Sequence, residues 1–93
     1  MHRTFDDENL QKHGVSRQEV LEVLESDLSF AEEMTSSDRG NDRALVIGWT
    51  YCGKILELGI EYFDDVDREH IFHAMKAGPK HRQEFARRLR SDL

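Results

Sequence analysis

The 93-residue chain predicts an α+β domain: a small antiparallel sheet of about 3–4 strands, packed with two N-terminal helices and one C-terminal helix. Three observations carry this expectation. The stretch Arg43–Tyr62 alternates: Leu56, Leu58, Ile60 and Tyr62 fall on one strand face, and Ile55, Glu57, Gly59 and Glu61 on the other. It reads as two strands joined at Tyr51-Cys52-Gly53-Lys54, with a third run, His70–Lys76, lying beside the second. Ahead of them, Ser16 and Glu19 form the S-x-x-E capping box that opens a helix. Behind them, Gly78-Pro79 breaks the third strand and opens a last helix, because proline suits the first helical position.

The remaining elements follow in order. Residues 1–5 (MHRTF) fit an edge strand ending at Phe5. Asp6 is a good N-cap, with Phe5 and Leu10 as a hydrophobic staple, and Gly14 ends that short helix in a left-handed conformation. Val15 and Val20 staple the second helix, and Val20, Leu21, Val23, Leu24 and Leu28 predict about three turns with one apolar face. Ser29–Met34 fits a solvated or edge strand, since Glu32 and Glu33 interrupt its apolar residues. Thr35–Asp42 (TSSDRGND) is a loop by composition, and Phe63–Asp67 is an acidic loop. In the last helix Phe85 and Leu89, four apart, face the core.

One domain over residues 1–93 follows from the length, which is just sufficient for a single core without disulfide or metal. Cys52 is the only cysteine, so a reducing compartment is the simple expectation. Without a signal-like start or an apolar run of about 18 residues, neither secretion nor membrane insertion is expected, and the chain reads as cytoplasmic. The formal net charge of −6 argues against a generic nucleic-acid binder. Its distribution is uneven. Residues 1–70 carry 17 acidic and 7 basic residues (−10), whereas residues 71–93 carry 6 basic and 2 acidic ones (+4). Such a tail suits a polyanion, or pairing head to tail in a homodimer; a solvated helix face is the plainer reading.

Among residues able to do chemistry, His70 and His73 are three apart, which on a helix would suit a metal pair but on a strand points them to opposite faces and argues against a shared metal. His73 shares its expected face with Ile71 and Met75, so it reads either as a core or rim histidine bonded to backbone or as an acid–base group. Asp64, Asp65, Asp67 and Glu69 lack the spacing of a calcium loop, and Cys52 at a hairpin tip has no activating neighbour in sequence. No phosphate loop, dinucleotide fingerprint, nucleophile elbow or zinc spacing is present, so no cofactor and no metal are expected. What remains is a convergence of His73, Lys76, Lys80, His81 and Arg82 near the C-terminus. Phosphodiester cleavage needs a base for the ribose 2′-hydroxyl and cations around the phosphate, and these are the right residue types.

The order of the segments resembles a known family. Phe5–Ser16 (FDDENLQKHGVS) is similar to the opening of BrnT-type toxins, and Asp42–Trp49, Lys54–Tyr62 and Arg68–Phe85 resemble that family's hairpin, third strand and final helix. The triplet His73-Ala74-Met75 followed by Pro79-Lys80 looks like a branch of these proteins. The resemblance implies a RelE-like fold and an endoribonuclease of a type II toxin–antitoxin system, held inactive by a cognate antitoxin. On it, His73, Lys76 and Lys80 are the expected catalytic residues, and Arg82, Lys12, His13 and Arg87 the expected RNA contacts. Met75 stands where the main family tends to carry arginine, Ala44 where it tends to carry an aromatic, and this chain is acidic where such toxins are basic. These departures fit an alternative: a RelE-fold interaction domain without nuclease activity.

Overall fold

The computed structural model describes residues 2–92; Met1, which the expected first strand included, lies outside them. The chain runs β1 (His2–Phe5), α1 (Asp7–His13), α2 (Arg17–Glu25), β2 (Phe30–Met34), β3 (Arg43–Trp49), β4 (Ile55–Phe63), a 3₁₀ turn (Asp64–Val66), β5 (Arg68–Lys76) and α3 (Pro79–Asp92). The α+β class is as expected. The sheet is larger than expected, with five strands in the order β1-β5-β4-β3-β2. It is also mixed: β2 to β5 form an antiparallel meander, but β1 runs parallel to β5. The meander leaves the outer edge of β5 open, and β1 supplies the missing ladder with His2 opposite Arg68 and Phe5 opposite Ile71.

The two helix starts form as their residues dictate. Asp6 accepts from the Asn9 N–H, and the left-handed Gly14 (φ 67°) closes α1 by donating to Gln11 and Leu10 carbonyls. Ser16 and Glu19 make both halves of the capping box. The second helix is shorter than expected, ending at Glu25. Ser26 intervenes: its hydroxyl accepts from the Leu28 N–H and its carbonyl from the Ser29 hydroxyl, so local side-chain bonds replace the next helical turn. Leu28 is left exposed.

The core lies on one face of the sheet. Leu10, Val20 and Val23 from the first two helices and Val15 from the link between them pack on Val46, Leu56, Leu58, Ile60, Ile71 and Ala74. The opposite face carries Ile47, Trp49 and Phe30, where α3 docks. Phe85 is fully buried there, stacked on Phe30 (6.3 Å) and edge-on to Trp49 (5.5 Å), and Arg88 lies over the Phe30 ring at 4.1 Å. No helix among the described residues is long and apolar enough to cross a membrane.

One irregularity positions the functional face. Gly59 pairs with His73 and Ile60 with Ile71, so Phe72 is an extra residue, a β-bulge in β5. The bulge overturns the expectation that His70 and His73 point apart: opposite Glu61 and Gly59, they share one face. It also moves Ile71 to the core face, leaving Met75 but not Ile71 beside His73. The Phe72 ring lies over Gly59, where a side chain would collide with it.

Candidate functional site

The candidate site on this face is built on His73. Its Nε2 lies 3.2 Å from Glu57 Oε2 on the neighbouring strand. Glu57 Oε1 accepts at 3.1 Å from the backbone N–H of Gly78, the residue before α3. One carboxylate thus ties the imidazole to the start of the last helix. A carboxylate only accepts, so Nε2 carries the proton of the neutral ring and Nδ1 keeps its lone pair.

The second imidazole comes from the other end of the chain. Beyond β1, the edge of β5 is taken up by α1: the Asp6 N–H donates to the Ile71 carbonyl, and Asn9 Oδ1 accepts from the Ala74 N–H at 3.0 Å. His13 lies four residues after Asn9, on the same helix face and one turn further along. Its ring meets that of His73 edge-on, with centroids 5.8 Å apart and planes at 72°. His73 is half-buried, its side chain 27 % exposed, and Glu57 is 15 % exposed. Lys12, beside His13, is exposed.

The other sequence-predicted residues lie elsewhere. Lys76 pairs with Leu56, whose side chain belongs to the core face, so Lys76 leaves the strand on the face opposite His73. Lys80 and His81 line a groove of about 650 Å³ along α3, together with Glu32 of β2, Arg87 and Arg90. Arg87 is engaged there: Glu84 accepts from its Nε (3.0 Å) and Nη2 (2.5 Å), and also from Arg88 Nε (3.0 Å). These bonds, led by that to Arg87, hold the Glu84 carboxyl down at about 2. Arg82 is exposed on another side of the helix, and its backbone N–H bonds to the Gly78 carbonyl. The expected C-terminal convergence is therefore two separate places, a histidine pair on the sheet and a cationic groove on α3. Among the described residues, no three His, Cys, Asp or Glu side chains gather so as to hold a metal ion.

Glu57 and Asn9 were not singled out by sequence reasoning. The only hint of Glu57 was a carboxylate facing the same way as Gly59 in an apolar strand, and Asn9 carried none, because its role depends on where β1 ends. A second carboxylate, Glu61, is buried further along the face and belongs to the loop instead. Asn41 donates to it at 2.9 Å and Arg39 at 3.1 Å, fastening residues 37–41 over the sheet. Those hydrogen bonds, Asn41 first, lower its carboxyl to about 2 against the cost of burial.

Comparison with protein-family models and with curated proteins finds no match to this chain. The functional reading therefore rests on the site and on the resemblance in segment order.

Proposed function

We propose that this chain is a metal-independent endoribonuclease of the toxin kind, acting by paired imidazoles and restrained by a partner antitoxin. The observation that carries the reading is the meeting of His13 and His73 at 5.8 Å, with Glu57 bonded to His73. Strand cleavage of RNA needs two proton transfers. One imidazole, neutral, takes the proton of the ribose 2′-hydroxyl as its oxygen attacks the adjacent phosphorus. The other, protonated, gives its proton to the departing 5′-oxygen. The products are a 2′,3′-cyclic phosphate and a 5′-hydroxyl end, and two imidazoles supply both transfers without a metal.

His73 suits the base, since Glu57 fixes its ring with Nδ1 free and stabilises the imidazolium formed on proton uptake. His13 suits the acid. Lys12, exposed and next to His13 in the chain, is the cation proposed for the phosphate. Lys80, with Arg87 beside it in the groove and Arg82 on another side of α3, supplies cations for the RNA backbone; Lys76 leaves β5 on the opposite face and takes no part.

The test is bacterial growth on induced expression of wild type, His73→Ala and His13→Ala, with purified protein assayed on RNA in chelator. Each variant is expected to lose about 100-fold or more of the cleavage and to relieve growth arrest. Equal arrest by all three would discard the histidine pair. A second reading, a RelE-like interaction domain without nuclease activity, is favoured by the net charge of −6 and by Met75. Folded wild type that neither arrests growth nor cleaves RNA would establish it in preference.

A further inference from the structure

At the end of the sheet, away from the histidine pair, the last turn of α2 and the β3–β4 hairpin enclose a notch of about 410 Å³ lined by Glu22, Glu25, Trp49, Thr50 and Tyr51. We propose that this notch docks an arginine side chain from a basic segment of a partner protein. The inference is independent of whether the chain cleaves RNA.

Three features set its potential and shape. The first is charge without a counter-charge. Neither Glu22 nor Glu25 forms an ion pair with a described cation, and Lys54 nearby is taken by Glu19 at 2.9 Å. Helix α2 has no basic residue in its last turn, so the negative end of its dipole also faces the notch unopposed. The Tyr51 phenol registers this field: the charge of Glu25 is the main cause that raises its pKa.

The second feature is aromatic surface. Tyr51 is 75 % and Trp49 36 % exposed, although each has a large apolar ring. The faces of both rings attract a cation, and a planar guanidinium stacks on such a ring while its N–H fork meets a carboxylate, which an ammonium cannot do in both respects.

The third is preorganisation. The Tyr51 N–H donates to Glu22 Oε1 at 2.9 Å, the Tyr51 hydroxyl to Glu25 Oε2 at 3.3 Å, and Trp49 is held edge-on by Phe85. These contacts orient the two carboxylates and the Trp49 ring before a ligand arrives, which lowers the entropy lost on binding. The body around the notch is acidic, −10 over residues 1–70, and steers basic partners towards it. A second copy of this chain is the poorer occupant, because each copy carries a net charge of −6 and, in the basic helix α3, Arg87 and Arg88 are already held by Glu84.

The chain has one tryptophan, and it lines the notch, so its fluorescence reports occupancy directly. The experiment titrates the full chain with a capped oligoarginine peptide and follows Trp49 emission. Saturable change is expected, with the double variant Glu22→Gln/Glu25→Gln and the variant Tyr51→Ala each binding about tenfold more weakly. Glutamine keeps an acceptor for the Tyr51 N–H, and far-UV circular dichroism checks the fold. The double variant Glu32→Gln/Glu33→Gln, on the exposed strand β2, is expected to bind as wild type. Equal weakening by both double variants would show diffuse attraction by an acidic protein and overturn the proposal. So would binding seen by calorimetry with no change at Trp49. A wild-type dimer that becomes monomeric in Glu22→Gln/Glu25→Gln would make the occupant a second copy and overturn it too.

Discussion

Replacing Gly59 with alanine tests the contact that arranges the bulge and the histidine beside it. A Cβ at this position would lie 2.7 Å from two carbons of the Phe72 ring and 3.1 Å from His73 Cβ. Ordinary carbon–carbon contact is about 3.5–4.0 Å, so the ring must withdraw by about 0.8–1.3 Å (3.5 or 4.0 less 2.7). Phe72 is not free to do so at no cost, because it is held between the sheet and the Arg43 guanidinium, 5.7 Å above the ring. Overpacking of this kind costs about 1–3 kcal/mol, and removing a glycine from the unfolded chain returns about 0.4–1 kcal/mol. The net expectation is a loss of about 1–2 kcal/mol, read as a lower urea midpoint at unchanged slope by Trp49 fluorescence and circular dichroism. In a Phe72→Ala background only the 3.1 Å contact with His73 Cβ remains, so the same substitution should cost much less, within about 0.5 kcal/mol of neutral. A coupling of about 1–2 kcal/mol between the two sites is therefore expected. An equal penalty in both backgrounds, or none in either, would refute the close approach of Phe72 to Gly59.

Other expectations follow from single groups. Phe85→Ala, at a fully buried ring between Phe30 and Trp49, should cost about 3–5 kcal/mol and shift Trp49 emission in the folded state; a loss below about 1 kcal/mol would mean that α3 is not docked through this ring. Glu61 has a folded-state pKa of about 2 against an ordinary 4.5, so its stabilising bonds are intact above about pH 4.5 and lost as pH falls towards 2. Glu61→Gln should accordingly flatten the acid limb of stability against pH, measured by urea midpoints; an unchanged limb would assign it to other carboxylates. Glu57→Gln keeps an acceptor for the Gly78 N–H but removes the charge beside His73. On the proposed nuclease function it should lower RNA cleavage by about 10- to 100-fold with the fold intact, whereas wild-type rates would leave His73 without need of its partner.

How much was legible in the sequence differs between local and long-range features. The caps at Asp6, Gly14 and Ser16, the hairpin around Tyr51–Lys54 and the opening of α3 at Pro79 depend on neighbours within a few residues, and all were readable. The end of α2 was misread by a single turn. Leu28 keeps the helical period, but the serines at 26 and 29 bond to the backbone locally, and periodicity does not register that competition. In the candidate site, the residue types were visible at His13, His73, Lys12 and Lys80, but not which of them meet.

By itself, the sequence determined the α+β class, the succession of helices and strands, which face of β4 is apolar, and an acidic body with a basic end. Each is a property of composition or of short period, encoded wherever the chain happens to pack. Only the tertiary structure decided that β1 pairs with β5, that a bulge at Phe72 turns His70 and His73 to one side, and that α1 brings His13 against His73 while Glu57 holds the latter. Register, bulges and meetings between distant segments are set by the summed contacts of the whole sheet. A one-residue slip changes every such meeting and leaves the local pattern of the sequence as it was.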